Sequence, residues 1–172
     1  MTAIQSSLSQ AGSSSMASSV RENHFGAANC IDGDTDGPDG SWAAGYNFCS
    51  TDTDLCPWLA IDYGKTVTVK RVEIFNRKHS CCGSRTRNVD VRISDELPAS
   101  ASQMFSGGAL LGHFAGPGTH GQHITISGQT FKLSLLMNFP GQSEMSGRYV
   151  IVQMDNGVHQ INLKEVIAFG RA

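Results

Sequence analysis

No apolar run in this chain approaches the ~20 residues that a membrane-spanning helix needs, and no stretch of any length repeats apolar residues at helical spacing. Membrane insertion is therefore not expected, and neither is a helical bundle. A strong charge of one sign is missing too. Thirteen Lys and Arg stand against fifteen Asp and Glu, a net charge of −2, so no global field favours nucleic acid or an anionic membrane surface, and any cationic function must be local. There is no C-x-x-C pair, which removes the usual zinc and thiol-oxidoreductase spacings. The opening "MTAIQSSLSQAGSSSMASSV" has neither the charged n-region nor the apolar h-region of a signal peptide. Either it carries no export signal or the chain is a mature or excised portion of a longer product. No internal repeat is visible. At 172 residues the chain has the size of one domain, 1–172, large enough to bury its own core.

What is abundant is short β-type segments and glycine. "VDVRIS" alternates Val89, Val91 and Ile93 with Asp90, Arg92 and Ser94, the period of a half-buried strand. "TVTVKRVEIFN" is also β-branched, but its apolar parity slips between Val69 and Val72, which predicts a bulge or two short strands. Further strands are predicted in "WLAIDYG", "ALLGHF", "QHITISG", "TFKLSLLMN", "RYVIVQM" and "HQINLKEVIAFG", with nineteen glycines among the separators. Many short strands with frequent turns predict an all-β antiparallel sandwich or jelly roll.

Two stretches carry chemistry. "NRKHSCCGSRTRN" sets the adjacent pair Cys81 and Cys82 among Arg77, Lys78, His79, Arg85 and Arg87. A redox pair, a metal site and a rigid apolar platform flanked by hydrogen-bond donors are all open readings of it. "CSTDTDLC" could close as a Cys49–Cys56 disulfide, or hold two buried thiols; with Cys30 the cysteine count is odd, so one thiol is left over. The long polar segment "ENHFGAANCIDGDTDGPDGSWAAGYNFCSTDTD" has the length of a functional loop. Within it Asp32, Asp34, Asp36 and Gly37 spell the opening of an EF-hand loop, but Ala43 stands where the bidentate glutamate belongs. A different calcium site, completed by a distant glutamate, would resolve that mismatch; a plain acidic turn is the alternative.

"AANCIDGD", "CST", "PWLAIDYGKTVTVKRVEIFNR", "CCGSRTRNVDVRISDE", "RYVIVQM" and "INLKEVIAFG" together resemble the F-type lectin, or fucolectin, family within the discoidin-like, galactose-binding-domain superfamily. The likeness runs from about Ala17 to Gly170, with residues 1–16 as a Ser-rich start. It implies a β-jelly roll of about eight strands, a structural Ca²⁺ and a shallow sugar site made by loops at one end. For the cysteine pair it implies a vicinal disulfide, whose cramped ring stiffens the turn and presents sulfur to the C–H patches of a sugar while arginines donate to its oxygens.

Carried over residue by residue, Arg85 matches the arginine after "CCG", and Arg77 follows Asn76 as the family's first arginine does. The extra residues in "KHS" leave Lys78 as a rival for that place and His79 as a substitute for the family's loop histidine, which has no counterpart after "CS". Tyr46 and Phe48 lie where the family places sugar-touching aromatics. Asn29, Asp32, Asp34 and Glu165 match the calcium ligands, whereas Lys164 stands where the family has a cysteine paired to Cys49, leaving Cys56 as a new partner for it. The implied function is non-enzymatic: an extracellular lectin, or extracellular portion of a longer protein, that binds fucosylated or related glycans, with homo-oligomerisation a source of avidity. A discoidin-like adhesion module with a degenerate sugar site is the second expectation.

Overall fold

The computed structural model describes residues 6–8, 13–41, 45–128, 144–155 and 157–172. Along them run β1 (Ser6–Ser7), β2 (Ser14–Ala17), a 3-10 turn at Ala27–Cys30, and three two-residue pieces, β3 (Gly40–Ser41), β4 (Gly45–Tyr46) and β5 (Cys49–Ser50). The longer strands follow: β6 (Trp58–Asn76), β7 (Val89–Ser94), β8 (Ala109–Phe114), β9 (His123–Ser127), β10 (Met145–Met154) and β11 (Asn162–Arg171). β3 and β4 pair with each other, and the other nine strands join into one antiparallel sheet. The expectation of an all-β antiparallel sandwich of about eight strands is met. The predicted strand "TFKLSLLMN" lies outside the described residues.

One strand makes the sandwich. β6 runs for 19 residues and absorbs two of the predicted segments. Its first part pairs with β2 and β10, Leu59 opposing Ala17 and Val152; its second part pairs with β11 and β9, Ile74 opposing Val166 and Ile124. Between them Gly64, at φ +69°, with exposed Lys65 and Thr66, marks the corner. The same strand therefore serves both layers, and the sheet folds onto itself. The parity slip is real and has the predicted cause: Phe169 pairs with Arg71 and Gly170 with Val69, so Lys70 is the extra residue of a bulge on a continuous strand. Burial then moves from Val67 and Val69 to Val72 and Ile74.

Val91 and Ile93 of β7, Leu111 of β8 and Val150 and Val152 of β10 face Val72, Ile74, Ile124, Ile126, Val166 and Ala168 across one core. A second, smaller cluster of Trp58, Ala60 and Ile151 lies beneath Met16, Leu97, Ala101 and Phe105. Buried Gln153 fastens that cover, accepting from the Phe105 amide at 2.9 Å and donating to the Cys56 carbonyl at 3.1 Å. Strand β2 escapes sequence reading because "SSMA" carries one large apolar residue and serine where a strand usually shows β-branched side chains.

At the β10 register break between Gly147 and Tyr149, the out-of-register Arg148 reaches Asp62 of β6 with two parallel bonds of 2.7 Å. Those bonds hold the Asp62 carboxyl below its ordinary value, a shift that burial opposes. A carboxyl depressed in the folded state contributes stability that is present above the unfolded value of 3.8 and fades as pH falls below it. Arg148→Met is therefore expected to lower the urea midpoint at pH 6 and to lower it distinctly less at pH 3.

Candidate functional site

Asn76, the last residue of β6, is buried and organises the cysteine turn that follows. Its amide donates to the carbonyls of Gly83 and Thr119, each at 2.8 Å, while its oxygen accepts from Thr86 Oγ1 and from the Arg77 amide. The turn is closed from the other side as well: a Cβ on Gly83 would come within 2.7 Å of the His120 backbone nitrogen. Within it Cys81 and Cys82 form a vicinal disulfide with Cα atoms 3.7 Å apart. Cys82 is buried and Cys81 exposed, so the pair offers one sulfur face to solvent.

Arg77 sits in the wall beside this disulfide. Its Nε donates to Asp39 Oδ2 at 3.0 Å and its Nη1 to Asn162 Oδ1 at 2.7 Å, and the guanidinium lies 3.6 Å over the Phe48 ring. Burial lowers its pKa from the ordinary arginine value, an effect that Asp39 opposes and the neighbouring charge of Arg85 reinforces. Asp39 does more than pair with it. Its two oxygens also accept from the backbone amides of Lys78 and His79, at 3.1 and 2.9 Å. A single buried carboxylate thus ties the long polar loop to the cysteine turn.

Arg85 donates from Nη1 to Gln160 Oε1 at 2.6 Å, and Arg21 reaches the same oxygen at 3.3 Å. Phe25, Tyr46 and Phe48 form an aromatic triad with ring centroids 4.7 to 5.5 Å apart. Together these groups enclose an open depression of about 340 Å³: the disulfide with Arg77 and Arg85, the aromatic triad, Arg21 and Glu22, and between them Ser50 and Asn162. Of the residues singled out from the sequence, Arg77, Arg85, Cys81, Cys82, Tyr46 and Phe48 meet there. Phe48 is buried and forms the floor beneath Arg77. Lys78 and His79 do not line it. The Lys78 ammonium contacts the Asp36 carbonyl and carboxylate instead, and the His79 ring accepts from the Cys81 amide at 3.3 Å. Of the two rivals in "RKHS", Arg77 lines the hollow and Lys78 does not.

Sequence reading missed Arg21, Glu22, Phe25 and Asn162 in the lining, and Asp39 and Gln160 behind it. Arg21 had one available signal, its place at the head of the polar loop; no spacing links Asn162 or Gln160 to the cysteine turn.

The expected calcium ligands are placed less favourably. Glu165 does reach the acidic turn, accepting from the Gly33 amide at 3.2 Å. The Asn29 amide, however, donates to the carbonyls of His24, Tyr46 and Phe48, and Asp32 accepts from the Asp34 amide at 2.9 Å. Asp34 Oδ2 accepts from the Lys164 ammonium at 2.8 Å and from Asn47 Nδ2, while Oδ1 accepts from the Gly37 and Asp36 amides. Among the described residues no three His, Cys, Asp or Glu side chains converge on one point. At Asp34 an ammonium already meets the carboxylate for which the ion would compete.

The cysteine pairing also differs from expectation. Cys30, at the end of the 3-10 turn, bridges Cys49 in β5 with Cα atoms 5.4 Å apart. Cys56 belongs to neither bridge; it is buried where its amide bonds the Ala101 carbonyl, and burial pushes its thiol pKa up.

A family model, the NedA-like, galactose-binding domain, matches residues 29–152. The chain belongs to that family. No curated protein matches it. Solved structures match it at the level of fold: a fucolectin from striped bass serum (TM-score 0.71, 24% identity, 93% of this chain and 47% of that one), the lectin domain of lectinolysin complexed with Lewis B antigen (0.65, 24%, 94% of each) and the family 32 carbohydrate-binding module of C. perfringens NanJ in complex with galactose (0.65, 16%, 96% and 99%). The chain spans about half the length of the striped bass protein. This galactose-binding domain thus has the fold of lectins and carbohydrate-binding modules.

Peptide mapping without reduction is expected to recover Cys30 linked to Cys49 and Cys81 linked to Cys82, with Cys56 alkylated only after denaturation. A Cys49–Cys56 peptide would contradict the assignment.

Proposed function

We propose that this domain is a lectin, without catalytic activity, that binds a terminal monosaccharide of L-fucose type in the depression beside Cys81 and Cys82. The observation that carries the reading is the meeting of two arginines, a vicinal disulfide and an aromatic wall in one open hollow. Each part has a task in holding a sugar. The sulfur face and Tyr46 pack against apolar patches such as the C5 methyl of a 6-deoxy sugar. Arg77, immobilised by Asp39 and Asn162, and Arg85, steadied by Gln160, supply donors to ring and hydroxyl oxygens. Prior immobilisation matters because binding then costs little side-chain entropy.

The family histidine is absent, and Arg21 supports the reading in its stead. The Arg21 amide donates to the Ser50 carbonyl at 2.9 Å, so its side chain enters the hollow beside the segment in which the histidine would stand. The solved relatives by fold include proteins crystallised with Lewis B antigen and with galactose, which supports a glycan as partner. Two disulfides support an oxidising, extracellular setting.

The site is shallow and open to water, so affinity for the free monosaccharide is expected between micromolar and millimolar. Arg85→Ala is expected to weaken L-fucose binding in calorimetry by at least about tenfold, the loss of one charged hydrogen bond of ~1.5–3 kcal/mol, with an unchanged circular dichroism spectrum. Lys78→Ala should bind as the wild type does. A folded wild type that binds neither L-fucose nor galactose-type sugars on a glycan array would replace this reading with that of an adhesion module.

A further inference from the structure

Lys164, the third residue of β11, has no exposed surface, which is rare for a lysine and requires compensation of its charge. Its three N–H donors find three oxygens: Asp34 Oδ2 at 2.8 Å, the Asn47 carbonyl at 3.1 Å and the Pro38 carbonyl at 3.4 Å. One carboxylate and two carbonyls from a polar loop form the kind of hard-oxygen set that otherwise suits Ca²⁺. We propose that the Lys164 ammonium is the resident cation of this loop, that it makes the fold independent of divalent metal, and that it positions the loop's ligand-facing side. The last part rests on the lectin reading; the first two do not.

The position of the three oxygens gives the ammonium its reach. Pro38 precedes Asp39, the carboxylate that holds Arg77 Nε and two amides of the cysteine turn. Asn47 lies between Tyr46 and Phe48, both at the hollow. Both shoulders of the loop are therefore pinned to β11 by one side chain, while Cys30–Cys49 pins the loop's base. A second cation at Asp34 would compete with this arrangement. Both Asp34 oxygens already accept from donors, and a divalent ion brought to that carboxylate would face the ammonium directly. Lys164 is thus a positioning residue: it touches no ligand, and acts through Asp39 on Arg77 and through Asn47 on the aromatic wall.

The test uses the full chain after dialysis against EDTA, then with millimolar CaCl₂ or MgCl₂ added, reading Tm and L-fucose affinity in each buffer. The wild type is expected to give the same Tm and the same affinity throughout. A wild-type Tm that falls in EDTA and is restored by CaCl₂ overturns the proposal, and this arm needs neither a variant nor a sugar. Lys164→Met is expected to lower Tm by about 6 °C or more and to weaken fucose binding at least tenfold. Asp34→Asn combined with Lys164→Met should lose much less than the sum of the two single variants, which separates charge pairing from mere packing; additive losses overturn the pairing. A folded Lys164→Met that binds fucose as the wild type does removes the positioning part. If the wild type binds no fucose, the lectin reading fails while the metal and coupling arms still decide the cation.

Discussion

The buried carboxylate of Asp39 is the constraint on which the candidate site depends. It comes from a loop with little regular structure, yet it accepts from Arg77 Nε and from the amides of Lys78 and His79, three donors on the far side of the hollow. Arg77 in turn donates to Asn162 at the start of β11, and Asn162 donates to Ser50 Oγ at 3.0 Å. The chain of bonds Asp39, Arg77, Asn162, Ser50 links the polar loop, the cysteine turn and two strands of the sheet. In a buried setting such a network is stable only when every member is satisfied. Loss of Asp39 would leave the Arg77 guanidinium without its counter-charge.

The two disulfides and Lys164 act on the same loop from other directions. Cys30–Cys49 closes its base, and Cys81–Cys82 stiffens the opposite turn. Lys164, at a position where the F-type likeness leads one to expect a cysteine, fixes both shoulders. A loop of more than 20 residues with only two-residue strands in it would ordinarily be costly to order. Here covalent and charged ties order it together with the packing of Phe25, Tyr46 and Phe48.

Period-2 burial made the central strands legible: "VDVRIS" and the slip at Lys70 could be read directly because a buried face leaves its parity in the sequence. Strand β2 could not be read, since its serines acquire strand structure only by pairing with Leu59–Asp62 of β6. For the site, the cysteine turn was legible because adjacent cysteines among arginines are rare in themselves. Asn162, Gln160 and Arg21 were not, since each is an ordinary polar residue that becomes significant only when the sheet brings it to the hollow. Arg77 lies at the hollow with a hydrogen-bond partner, Asp39, 38 residues away in sequence, which no local pattern links to it. The calcium expectation rested on side-chain types that do match; what it did not foresee is the neighbouring lysine at Asp34, whose direction along β11 no local pattern specifies.

The central claim is that the hollow beside Cys81 and Cys82 is where a sugar binds. Titrating ¹⁵N-labelled protein with L-fucose while following the Arg Nε–Hε and backbone amide resonances tests this most directly. The account predicts saturable shifts at Arg77, Arg85 and Arg21 and at the amides of Cys81, Cys82 and Tyr46, with the rest of the sheet undisturbed. Saturable shifts confined to another face of the sandwich, or none at sugar concentrations in the tens of millimolar, would contradict it.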